Sequence, residues 1–113
     1  VPAAGQALKV GRVLRVAFAG QGTKLTAAAK PELANLAKKL QGSSKLRLQL
    51  LAYAGGDNLS SSLARRLSLS RALAVRSYLI ENGVRSTRID VRALGNKTTE
   101  QPFNRVDLNI AER

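Results

Sequence analysis

Between Leu59 and Asn82 the chain carries an uninterrupted helical pattern, bounded on either side by segments of a different period. Gly83 stands where a left-handed residue would close such a helix. Upstream, Leu46, Leu48 and Leu50 alternate with Lys45, Arg47 and Gln49. Downstream, Ile89, Val91 and Ala93 alternate with Asp90 and Arg92. Apolar residues at every second position predict strands with one wet face, whereas spacings of three and four predict a helix. A strand, a long helix and a strand in this order must bury their apolar faces against one another, which leaves few architectures open.

The rest of the chain extends the same alternation of elements. Val10 to Ala19 is a mixed apolar run carrying Arg12 and Arg15, and Gly20-Gln21-Gly22 breaks it. The pattern then predicts a helix starting between Thr26 and Pro31, with Pro31-Glu32 suited to its first turn. Leu33, Leu36, Ala37 and Leu40 recur at helical spacing and Gly42 ends the run. Ala54-Gly55-Gly56-Asp57-Asn58 is a turn cluster, and Gly95 to Pro102 is a polar loop. Val106, Leu108 and Ile110 alternate with Arg105, Asp107 and Asn109, which predicts a last strand. The order βαβαββ predicts a two-layer α/β sandwich, with two helices on one face of a four-stranded mixed sheet. The first β-α-β crossover is expected to be right-handed. Residues 1–8 read as a linker or N-terminal edge segment, and residues 9–113 as one domain.

Composition narrows the function classes. Cysteine and histidine are absent and Asp plus Glu number 7, so neither a metal site nor a cofactor is expected. The same poverty of nucleophiles and acid–base groups argues against an enzyme. No run reaches the ~18–20 apolar residues of a membrane-spanning helix. The opening Val1-Pro2-Ala3-Ala4-Gly5 lacks an initiator Met, which suggests a piece of a longer protein. With 19 Lys and Arg, the net charge of +12 favours a polyanionic partner: an acidic cell-wall polymer, an anionic membrane surface or nucleic acid. Nucleic acid is the least favoured, because Phe18, Tyr53, Tyr78 and Phe103 are scattered singly and form no stacking platform.

One residue does not fit its face. At 100° per residue, Leu63, Ala74, Leu67, Tyr78, Ala64, Val75, Leu79 and Ala72 cover one arc of about 180°, and Arg71 lies in its middle. A guanidinium keeps its charge, so burying it unpaired would cost several kcal/mol. Arg71 must snorkel, pair with an internal acid such as Asp57 or Asp90, or face a pocket that a ligand anion fills. On the opposite arc Leu69, Leu73 and Ile80 lie together, flanked by Arg65, Arg66 and Arg76. Either a loop or the N-terminal segment covers this stripe, or it is a partner or dimer surface.

Residues 67–79, LSLSRALAVRSYL, resemble the signature of the outer membrane protein A C-terminal-like family, Asn-x-x-Leu-Ser-x-x-Arg-Ala-x-x-Val-x-x-x-Leu. Leu67, Ser68, Arg71, Ala72, Val75 and Leu79 match it at the right spacing. Phe18 with Leu25, then Leu33, Leu36 and Leu40, then Ile89, Ala93 and Gly95, and finally Asn104-Arg105-Val106 extend the resemblance over about residues 10–111. The resemblance implies a periplasmic module of a membrane-associated or outer-membrane protein that binds the diaminopimelate of the peptidoglycan stem peptide. In that family an arginine at the position of Arg71 pairs with a ligand carboxylate, and an acid in the turn after the second strand pairs with the ligand ammonium. The implied ligand residues here are Arg71, Asp57, Asn104, Arg105 and Gly56.

The chain also departs from the family pattern. Gly56 stands where the family's turn Asp falls, with Asp57 one position later; Ala64 replaces the signature Asn and Ala19 the Asp after the first-strand Phe. Phe103-Asn104-Arg105 stands where Asn-Arg-Arg is usual. Two expectations follow: a peptidoglycan anchor, or a degenerate module that binds other envelope proteins through the Leu69, Leu73 and Ile80 surface. Nonspecific polyanion binding through the basic surface is a third.

Overall fold

The computed structural model describes residues 11–18, 22–42, 45–55, 59–96 and 104–112. The segment 1–8, expected as a linker or edge, lies outside the described residues, as do Gly56, Asp57 and Phe103. The elements run β1 (Gly11–Ala17), α1 (Ala29–Gln41), β2 (Leu46–Tyr53), α2 (Ser61–Glu81), a 3₁₀ turn (Ser86–Arg88), β3 (Ile89–Gly95) and β4 (Arg105–Glu112). The strands form one mixed sheet in the order β1-β4-β2-β3. β4 is antiparallel to both of its neighbours, and β2 is parallel to β3. This is the two-layer α/β sandwich that the βαβαββ pattern predicts.

Alternation along the strands puts one set of residues under the helices. The register aligns Leu14, Leu108, Leu50 and Val91 across all four strands, and likewise Val16, Val106, Ala52 and Ala93. Ile110 and Leu48 sit beside Ile89 in the same way. These side chains, Ala93 apart, form one core with Leu33, Leu36, Ala37 and Leu40 of α1 and Ala72, Val75 and Leu79 of α2. The other sheet face carries the polar partners: Arg15 opposite Asp107, and Arg105 opposite Tyr53.

The helix ends follow from local chemistry. α1 begins at Ala29, whose N–H donates to the Thr26 hydroxyl at 3.1 Å. Pro31 falls in the first turn, where its missing N–H costs no helical bond. Lys38 and Lys39 in the last turn complement the dipole. Arg88 completes the junction, donating through Nη1 to Leu40 O at 2.7 Å and through Nη2 to Leu46 O at 2.8 Å. α2 starts with Ser60, whose hydroxyl accepts from Leu63 N–H at 3.2 Å. It ends in a Schellman motif: Gly83 has φ +99°, its N–H donates to Ile80 O, and Val84 N–H donates to Leu79 O. Buried Val84 and Leu79 supply the apolar contact of that motif.

Leu63 departs from expectation. Helical spacing placed it on the buried arc, yet it is 52% exposed. It lies about 80° from Arg71 on the helical wheel, at the arc's margin, where small angular differences decide burial.

Candidate functional site

Arg71 projects from the middle of α2 toward the ends of β1 and β2 and the start of β4, and it is fully buried. Its Nε donates to Gly22 O at 2.9 Å. Its Nη1 donates to Asn104 Oδ1 at 2.7 Å and to Tyr53 O at 3.3 Å. The Phe18 ring lies beneath the guanidinium, 5.3 Å from centroid to Cζ. These charge-assisted bonds and the ring face offset the cost of desolvating the cation. Burial pushes the Arg71 pKa down from the usual arginine value, which is so high that the side chain stays charged.

Asn104 is the hub of this cluster. Its Oδ1 accepts from Arg71 and also from Gly55 N–H at 3.1 Å, and its carbonyl accepts from Phe18 N–H at 2.9 Å. One side chain thereby ties α2 to the end of β2, while its backbone ties the start of β4 to the end of β1. Asn104 is half-buried, so the cluster's rim reaches the surface there.

Of the three ways of accommodating Arg71, snorkelling is not the one adopted. Asp90 is committed elsewhere: both its oxygens accept from Arg47, at 2.7 and 3.2 Å, on the sheet face away from the helices. Arg47 holds the Asp90 carboxyl below the usual aspartate range, chiefly through that hydrogen bond. Asp57 and Gly56 fall outside the described residues, directly after Gly55 in the chain.

The structure brings Arg71 and Asn104 together and sends Arg105 to the opposite sheet face. There Arg105 is buried, its Nε donates to Asp107 Oδ2 at 3.1 Å, and its guanidinium lies 4.2 Å from the centroid of the Tyr53 ring. Asp107 also accepts from Arg15 Nε at 2.8 Å. Gly22 and Tyr53 were not legible as members of the cluster. They contribute backbone carbonyls, which carry no side-chain signature.

The remaining signature residues fix the helix to the sheet. Ser68 is buried; its hydroxyl donates to Arg65 O at 2.8 Å and accepts from Gly95 N–H at 3.1 Å. Gly95 has φ +58°, and a Cβ there would lie 3.0 Å from Arg65 N, so α2 approaches the end of β3 as closely as a glycine allows. Gly95 O in turn accepts from Ala54 N–H at 2.8 Å. The expected partner stripe is open to solvent: Leu69, Leu73 and Ile80 are 41%, 44% and 38% exposed. No described helix is long and apolar enough to cross a membrane.

Several solved bacterial structures share this fold. The peptidoglycan-associated lipoprotein of Burkholderia pseudomallei superposes with a TM-score of 0.75 at 19% identity, covering 86% of this chain and 89% of its own. The OmpA-like domain of FopA1 from Francisella tularensis gives 0.70 at 19% identity, covering 94% and 86%. A periplasmic domain of Helicobacter pylori MotB gives 0.73 at 17% identity, covering 95% and 80%. At these identities the likeness is one of fold. No curated protein matches the chain in sequence. The sequence model of the OmpA family, however, matches residues 17–110, from the end of β1 to β4, and the chain therefore belongs to the OmpA family.

Proposed function

We propose that this chain is a non-catalytic module that docks its parent protein on peptidoglycan in the periplasm. The observation that carries the reading is the Arg71 cluster: the signature arginine, buried where α2 meets the ends of β1 and β2 and the start of β4, braced by Asn104. Asp57 follows two residues after Gly55 in the chain, and Gly55 hydrogen-bonds the same Asn104. A diaminopimelate side chain carries an ammonium and a carboxylate on one carbon, and it would place them against Asp57 and the Arg71–Asn104 rim. The membership in the OmpA family and the name of the Burkholderia relative support this direction. The chain's charge of +12 would draw it to an acidic wall polymer before any specific contact forms.

A second reading is favoured by a specific fact. Arg71 has no accessible surface, and its described donors go to the chain's own oxygens. On that reading Arg71 pins the fold, and the module serves an envelope assembly by binding protein.

Retention on purified sacculi separates the two. Asp57→Asn is expected to weaken retention about ten- to hundredfold, the loss of one charged hydrogen bond of about 1.5–3 kcal/mol. Its thermal unfolding should match that of the wild type. Equal retention of both forms sinks the assigned site. If the wild type is not retained at all, the peptidoglycan function fails and the second reading stands.

A further inference from the structure

The solvent face of α2 carries a seam with coiled-coil spacing. Ser62, Arg66, Leu69, Leu73, Arg76 and Ile80 follow one another at intervals of four and three. The three apolar members are exposed, although α2 is packed on its other side against the sheet and α1. No ion pair involves Arg66 or Arg76 among the described residues. At the seam's first turns Arg65 and Arg66 also line a 410 Å³ cleft with Ser61, Ser62, Leu94 and Asn96.

We infer that this seam docks one acidic amphipathic helix of a partner protein. Apolar residues of that helix seat between Leu69, Leu73 and Ile80, and its carboxylates pair with Arg66 and Arg76, and with Arg65 at the cleft. The inference is independent of the peptidoglycan reading, because it uses the helix face turned away from Arg71.

Charge and width select the occupant. A second copy of the chain is disfavoured in either orientation. An antiparallel two-fold pairing that sets Leu69 against Leu73 also sets Arg66 against Arg76. A parallel one sets each arginine against itself. Like charges so placed oppose association. A bilayer surface fits poorly as well. At 100° per residue Leu69, Leu73 and Ile80 span only about 40°, whereas an interfacial helix presents a broad apolar arc. Ser70 and Ser77 border the stripe and would be carried into the lipid. A narrow seam with arginines set into it matches a single helix of opposite charge.

The test uses two synthetic helical peptides with leucine at heptad positions a and d, one with glutamate and one with lysine at e and g. NMR titration of the chain should show saturable binding of the acidic peptide, with shifts centred on Leu69, Leu73 and Ile80. Leu73→Asp should weaken it about tenfold or more, with unchanged thermal unfolding. Arg66→Glu with Arg76→Glu should reverse the preference toward the lysine peptide. The inference is overturned if shifts fall elsewhere, if the double variant keeps the acidic preference, or if Leu73→Asp binds as well as wild type. It is also overturned if phosphatidylglycerol vesicles alone engage the seam, or if the chain dimerises through it in sedimentation experiments.

Discussion

A buried arginine is expensive to keep and hard to replace, and Arg71 shows why. Its guanidinium reaches acceptors contributed by Gly22, Tyr53 and Asn104, which belong to different parts of the chain. Lysine preserves the charge but offers a compact ammonium that cannot serve all of these positions at once. Arg71→Lys is therefore expected to lower stability by about 1.5–3 kcal/mol, read as a shift in denaturant midpoint; an unchanged midpoint would refute the bracing role. Gly95 is the second such position. Ala there must adopt φ +58° and bring a Cβ to 3.0 Å from the α2 backbone. Gly95→Ala should cost about 1–3 kcal/mol, and Ser68→Ala, which leaves the buried Gly95 N–H without its acceptor, a similar amount. Helical spacing alone marked Arg71 as a charge on an apolar face. What it touches was illegible, since backbone oxygens distant in sequence leave no trace in local pattern. Asn104, by contrast, entered through the family signature and does contact Arg71.

Among the elements, the strands and helices were largely legible, because each has one apolar face and a chemically marked end. Gly83 and the alternation in β2 and β4 do what their residue types prefer, while the helical run predicted from Leu59 begins two residues later, with Ser60 as its cap. One failure lies at a margin, where Leu63 sits at the edge of α2's buried arc and is exposed; the stripe of Leu69, Leu73 and Ile80 takes the open one of its two expected arrangements. The strand order was not legible either. Alternation tells which way a side chain points and says nothing about which strand lies alongside. The β2–β3 pair carries a pH consequence. Arg47 lowers the Asp90 pKa, so this pair adds stability above the ordinary aspartate range and loses it as pH falls through the lower, folded value. The pair is partly exposed, at 30% and 45% for the two side chains, so the effect on stability is expected to be small. Carboxyl NMR titration should show the Asp90 pKa rising toward its ordinary value in Arg47→Ala. No rise would mean the pair does not persist in solution.

At the scale of the whole molecule, 19 basic residues against 7 acidic ones set up self-repulsion that folding must overcome. Salt at about 0.15 M shortens the Debye length to roughly 8 Å. The melting temperature should therefore rise between low salt and that concentration; a fall would show that attractive pairs such as Arg15–Asp107 outweigh the repulsion. The sheet order has a different consequence, which concerns biogenesis. β4 follows the other three strands in the chain yet lies between β1 and β2, and in the described sheet it is β1's only neighbour. A nascent chain lacking residues 105–112 can form the β2–α2–β3 unit but has nowhere to seat β1. Asn104, at the threshold of that strand, arrives equally late, so the Arg71 cluster closes only once the strand does. The order of synthesis thus leaves the domain open until its last strand emerges, and the Arg71 cluster and the sheet are completed in one late step.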